Sequence, residues 1–157
     1  DCSSRGLGDV YKRQMFHGVP KSVVLASLLG LIPILMGLVS TFNIGLNAGL
    51  KEDFIRIALI YSGFILSFMS GCIFYVASLE RDRVLLLWFS ITPVLLALLS
   101  ITIPFMQSFV LALGFLVVLE IERKLHKRRS LPKWWLSLRF PMTSIVVVLL
   151  IFLGFRI

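Results

Sequence analysis

Five side chains of this 157-residue chain are of types that could move a proton beside an apolar core: Glu80, Asp82, Glu120, Glu122 and His126. Carboxylates and a histidine are what general acid–base chemistry uses. Here they show no metal-ligand or nucleophile spacing. A carboxylate next to a basic linker reads first as a surface ion pair, worth about 0–1 kcal/mol. No catalytic residue, metal ligand or cofactor is therefore expected. Tyr61, Ser67 and Ser70 offer a different chemistry, a polar lining for a groove inside an apolar segment. The two cysteines, Cys2 and Cys72, form no disulfide framework or metal spacing.

The elements that would position these groups follow from composition. Hydrophobic residues make up 58% and charged residues 15% of the chain, and the mean hydropathy is +0.95. A soluble domain of this size cannot bury so much apolar surface. Long uncharged runs read as membrane helices. They do not alternate as the strands of a membrane barrel would. The expected fold is all-α, a polytopic integral membrane bundle of about five transmembrane helices plus a short interfacial amphipathic helix.

The spans are expected at about 22–42, 57–79, 84–103, 105–121 and 142–155. The third and fourth come from one uncharged run, Val84 to Leu119. As a single helix it would be ~54 Å long, against a hydrocarbon core about 30 Å thick. It must turn back, and Pro104 with Gln107 and Ser108 marks the turn. Residues 1–14, "DCSSRGLGDVYKRQ", are polar and without apolar period. They resemble a translated sequencing-adaptor scar and read as a non-native or disordered leader to a single membrane domain, 15–157.

The formal charge of +8 reads as a topology signal rather than a nucleic-acid surface. One set of loops holds ten basic residues: Lys21, Arg81, Arg83, Arg123, Lys124, Lys127, Arg128, Arg129, Lys133 and Arg139. The other holds three, Lys51, Arg56 and Arg156. The positive-inside rule then places the N-terminus in the cytoplasm and the C-terminus in the periplasm, in a bacterial inner membrane. The spans lack midplane acids, lysines or histidines, which proton- or ion-coupled transport usually needs.

Small residues repeat every three or four positions on two spans. Gly63, Ser67 and Gly71 share one face of the second; Ala26, Gly30, Pro33 and Gly37 share one face of the first. Close backbone approach over such residues drives helix association in lipid. The two faces are expected to pack on each other. Leu131, Trp134, Trp135, Leu138 and Met142 would form the apolar face of the interfacial helix. Tryptophan favours the headgroup level, so Lys124, Lys127, Arg128, Arg129, Lys133, Trp134 and Trp135 are expected to meet anionic headgroups. Arg139 lies close to where the last span enters the bilayer and needs an acidic partner, Glu120 or Glu122.

Four pieces together resemble the transmembrane protein 69-like family, known in bacteria as a domain of unknown function. They are "LGLIP" with Pro33, "YSGFILSFMSG", "SITP" ending at Pro93, and "LPKWWLSLR" followed by Thr143. The resemblance runs from about Leu29 to the C-terminus. It departs after the second span's glycine, where Ile73 and Phe74 stand in place of the family's basic residue or histidine and its tryptophan, and at Ser70, which replaces the first glycine. The resemblance implies a small multi-span protein of the bacterial inner membrane or mitochondrion and carries no activity. Expected partners are the lipid bilayer with its anionic headgroups, and a second copy or another membrane protein, but no nucleic acid. Three roles stay open: a non-enzymatic assembly or accessory factor, a passive transporter or channel subunit, and a membrane enzyme acting on lipid at the cytoplasmic edge.

Overall fold

The computed structural model describes residues 19–42, 45, 47–79, 84–127 and 131–157. The leader, His17, Glu80, Arg81, Asp82, Arg83, Arg128 and Arg129 lie outside the described residues. Among the described residues six α-helices follow in order: α1 (Lys21–Leu29), α2 (Ile32–Ser40), α3 (Ala48–Leu79), α4 (Val84–Thr102), α5 (Gln107–Lys127) and α6 (Trp135–Arg156). A 3-10 turn, Pro104–Met106, leads into α5. Taken as Lys21–Ser40, Ala48–Leu79, Val84–Thr102, Pro104–Lys127 and Trp135–Arg156, five segments are long and apolar enough to cross a membrane.

Proline accounts for two of the interruptions. Pro33 has no N–H to donate to the Leu29 carbonyl, so α1 ends there, while α2 carries the proline in its first turn, where it costs little. Pro104 starts the 3-10 turn after the extended Ile103, and the chain reverses. Pro93 stays inside α4. The Ser90 hydroxyl bonds back to the Leu87 carbonyl, and Ser70 of α3 donates to the Ser90 carbonyl across the interface. A second bond of this kind joins the Ser108 hydroxyl of α5 to the Leu150 carbonyl of α6. Such bonds between spans contribute about 0.6–2 kcal/mol each in lipid.

The helix α3 begins well before the expected position 57 and holds 32 residues. At about 1.5 Å per residue it is ~48 Å long, so its first turns extend past a hydrocarbon core of about 30 Å. That portion carries Lys51, Glu52, Asp53 and Arg56, with an exposed Arg56–Asp53 pair at 3.3 Å. In the middle of the bundle α3 and α5 face each other, and α2, α4 and α6 pack around them. The core includes Ile34, Leu66, Leu111, Leu125, Leu150 and Leu153, all nearly or wholly buried.

The close approach of α2 and α3 does not use the Gly63–Ser67–Gly71 face. A Cβ on Gly71 would meet nothing within 4 Å, and one on Gly63 would make only an ordinary contact with Leu111. The buried stripe of α3 lies one residue earlier, on Ala58, Ser62, Leu66 and Ser70. One residue is a 100° rotation of a helix, and Ala58 with Ser62 satisfies the same four-residue rule. On the first span, Gly37 is the contact point. A Cβ there would collide with Ala58 and lie 3.2 Å from the Phe54 carbonyl oxygen. Ala26 is exposed, while Gly30 faces the Tyr61 hydroxyl, 3.5 Å from an added Cβ. Gly114 is similarly tight against Leu66, and Gly154 against the Phe109 ring.

The short interfacial helix expected over Leu131–Met142 is not separate. From Trp135 onward it forms the first turns of α6, and Pro141 is accommodated within that helix.

Gly37→Leu should destabilise the protein by about 1–3 kcal/mol through overpacking, whereas Gly71→Leu should leave stability unchanged. Thermal unfolding of the two variants in the same mild detergent checks this; equal losses would refute the α2–α3 seam described here.

Candidate functional site

The only buried charged side chain among the described residues is Glu122, on the last third of α5, with 1% of the side chain exposed. Its placement follows from helical period. Val118, Glu122 and Leu125 fall on the buried face of α5, and Glu120, two residues away, points outward. The α6 helix supplies the partners. Pro132 opens a turn closed by Trp135 N–H to its carbonyl at 3.0 Å. Trp135 and Arg139 then lie four residues apart, on one face.

Both donate to Glu122. Arg139 Nε lies 3.0 Å from Oε1 and 3.1 Å from Oε2. Trp135 Nε1 lies 3.2 Å from Oε1. The Arg139 guanidinium carbon is 5.7 Å from the centre of the Trp135 ring, within cation–π range. Burying a carboxylate costs several kcal/mol, and only paired, hydrogen-bonded geometry offsets it. The three residues form a clamp holding α5 to α6. Glu120 pairs instead with Arg123 at 3.5 Å, both more than half exposed.

Of the residues expected at headgroups, Lys124, Lys127 and Lys133 are exposed. Trp134 and Trp135 are half-buried and pack against the core, their rings 5.8 Å apart. Trp135 thus has a protein partner for its N–H that the interface rule for tryptophan does not suggest. The i, i+4 spacing from Arg139 was the available signal. A second arginine, Arg156 at the other end of α6, was read only as a topology charge. Its Nη2 donates to the Thr41 carbonyl at 3.1 Å, and its guanidinium stacks over Phe42 at 4.8 Å. It neutralises the C-terminal end of α2, where carbonyls lack partners.

Beside the clamp lies a cleft of about 630 Å³ between the first span, α3 and α6. Arg139, Thr143 and Val146 line its α6 wall, Tyr61, Phe64 and Phe68 its α3 wall, and Ala26, Gly30 and Ile34 the first span. The Ala26 and Gly30 stripe therefore borders a space rather than a seam. The cleft lining is chiefly apolar, a composition suited to holding a ligand. Tyr61 lies on this wall, as the groove reading of the sequence supposed. Ser67 bonds within its own helix to Gly63 at 2.9 Å, and Ser70 is committed to α4. Among the described residues no three His, Cys, Asp or Glu side chains come together as a metal site.

No curated protein and no solved structure matches the chain. A family model described as a protein of unknown function, DUF3429, matches residues 19–154, which include every helix of the fold up to the last two residues of α6. The chain belongs to the DUF3429 family.

Proposed function

We propose that the protein is a non-enzymatic, multi-pass component of the bacterial inner membrane that serves as an assembly or accessory factor for a membrane complex. The observation that carries this reading is the state of Glu122. The Arg139 Nε–H is shared between both carboxylate oxygens, and the Trp135 Nε1–H donates to one of them. A carboxylate held in this way is a structural tie between two spans and a poor general base. The resemblance to the transmembrane protein 69-like family in "LPKWWLSLR" supports the same reading, because Arg139 of the clamp stands at the pattern's arginine; the pattern's tryptophan falls on Trp134.

The excess of lysine and arginine at the end where α5 finishes and α6 starts supports a cytoplasmic N-terminus and a periplasmic C-terminus. The cleft beside Arg139 favours one second reading, passive passage of a small apolar or amphiphilic solute.

Two experiments test these readings. Affinity capture of the tagged protein from mild detergent should bring down a specific membrane protein in near-stoichiometric amount. A clean homo-oligomer that passes solute across liposomes would favour the second reading and count against the first. Fusions of a periplasm-active reporter to Ile157 should be active and those of a cytoplasm-active reporter inactive; the reverse pattern overturns the orientation.

A further inference from the structure

The first span is anchored over only half its length. The α2 half buries Ile34, Gly37 and Ser40, with Gly37 seated on Ala58. The α1 half, beyond the break imposed by Pro33, buries none of its residues. The cleft opens on the bundle side of α1, so it is a consequence of the same proline that divides the span.

Its polar groups are graded with depth. Arg139 and Ser22 stand near the end where α1 and α6 begin. Thr143 is one helical turn further along α6, and the Tyr61 hydroxyl is at the level of Gly30. The remaining walls are aliphatic or aromatic except for Ser27, whose hydroxyl bonds back to the Val23 carbonyl at 2.8 Å. Phe64 and Phe68 form the lip, each 69% exposed on a surface that faces the bilayer. An amphiphile with its head at Arg139 and its tail toward Ile34 matches this gradient, and it enters sideways without leaving the membrane.

The head would be anionic. Arg139 commits Nε to Glu122, but its two terminal amino groups have no hydrogen-bond partner among the described residues. A guanidinium fork offers such groups to a phosphate in paired geometry. At the end of the bundle where α1 and α6 begin and α5 finishes, the described charges are Lys21, Arg123, Lys124, Lys127 and Lys133 against Glu120, beyond the Glu122–Arg139 pair itself. The local excess is positive and complements an acidic headgroup. About 630 Å³ lies within the usual range of small-molecule sites. That volume suits one acyl chain, the second remaining among bulk lipid.

We propose that this cleft is a lateral binding site for one anionic glycerophospholipid, with its phosphate on the terminal amino groups of Arg139 and one acyl chain between the first span and α3. The proposal stands on the cleft and its charges and does not require the accessory role.

Native mass spectrometry of the full chain, purified in mild detergent and titrated with phosphatidylglycerol or phosphatidylcholine, tests it. The wild type should hold one phosphatidylglycerol through collisional activation that strips phosphatidylcholine. Ala26→Phe, which fills the cleft from an exposed position, should abolish that adduct without lowering the melting temperature. Should that variant fail to fold, Ser22→Phe serves the same purpose from the neighbouring turn. Arg139→Lys should weaken binding about tenfold by replacing the fork with a point charge. Equal retention of the two lipids, or undiminished phosphatidylglycerol binding in the filled variant, overturns the proposal. So does a lipid-free dimer that the filled variant converts to monomer, which would make the cleft a contact between copies.

Discussion

A carboxylate removed from water must find donors inside the protein, and in this bundle that requirement is met by Glu122, Arg139 and Trp135. Apolar length alone does not fix the register in which α5 and α6 pack. Only a register that brings both donors of α6 against Glu122 leaves no buried charge unpaired. The clamp therefore does more to specify which rows of α5 and α6 meet than to add net stability. Ser108 and the Leu150 carbonyl, together with Gly154 under the Phe109 ring, hold the same two helices at their far ends.

Elsewhere the same rule acts on the backbone. In lipid a freed carbonyl finds no water. The chain places Pro33 and Pro104 in first turns, where no intrahelical bond is lost. The break at Pro33 also has a geometric outcome. It lets α2 pack tightly through Gly37 while α1 stands away, leaving the apolar cleft beside Arg139.

Much of the fold was legible in the sequence because hydrophobic length is a strong signal. The five spans and the reversal at Pro104 follow from the bilayer's thickness and proline's missing N–H. The start of α3 was not legible, since charged residues such as Lys51 and Glu52 are compatible with helix or loop once outside the hydrocarbon. Nor was the seam register, because Gly63–Ser67–Gly71 and Ala58–Ser62 satisfy one spacing rule and differ by a single residue. At the site, the need of Arg139 for an acid was visible, and the choice of Glu122 over Glu120 rests on which of them shares a face with Val118 and Leu125. Trp135 was concealed by its own type, since a tryptophan at a span entrance already has an explanation at the membrane interface. The hydroxyl bonds of Ser70 and Ser108 join residues distant in sequence and leave no local pattern.

The clamp is most directly tested by a double-mutant cycle on Glu122 and Arg139, read as unfolding free energy in one detergent. Arg139→Leu alone leaves the Glu122 charge buried and unpaired and should cost about 3–5 kcal/mol; Glu122→Leu leaves the partly exposed Arg139 without its partner and should cost less. The double replacement should cost much less than the sum of the two, because no buried charge remains. Additive losses, or single variants as stable as the wild type, would contradict a tie between α5 and α6 at this site.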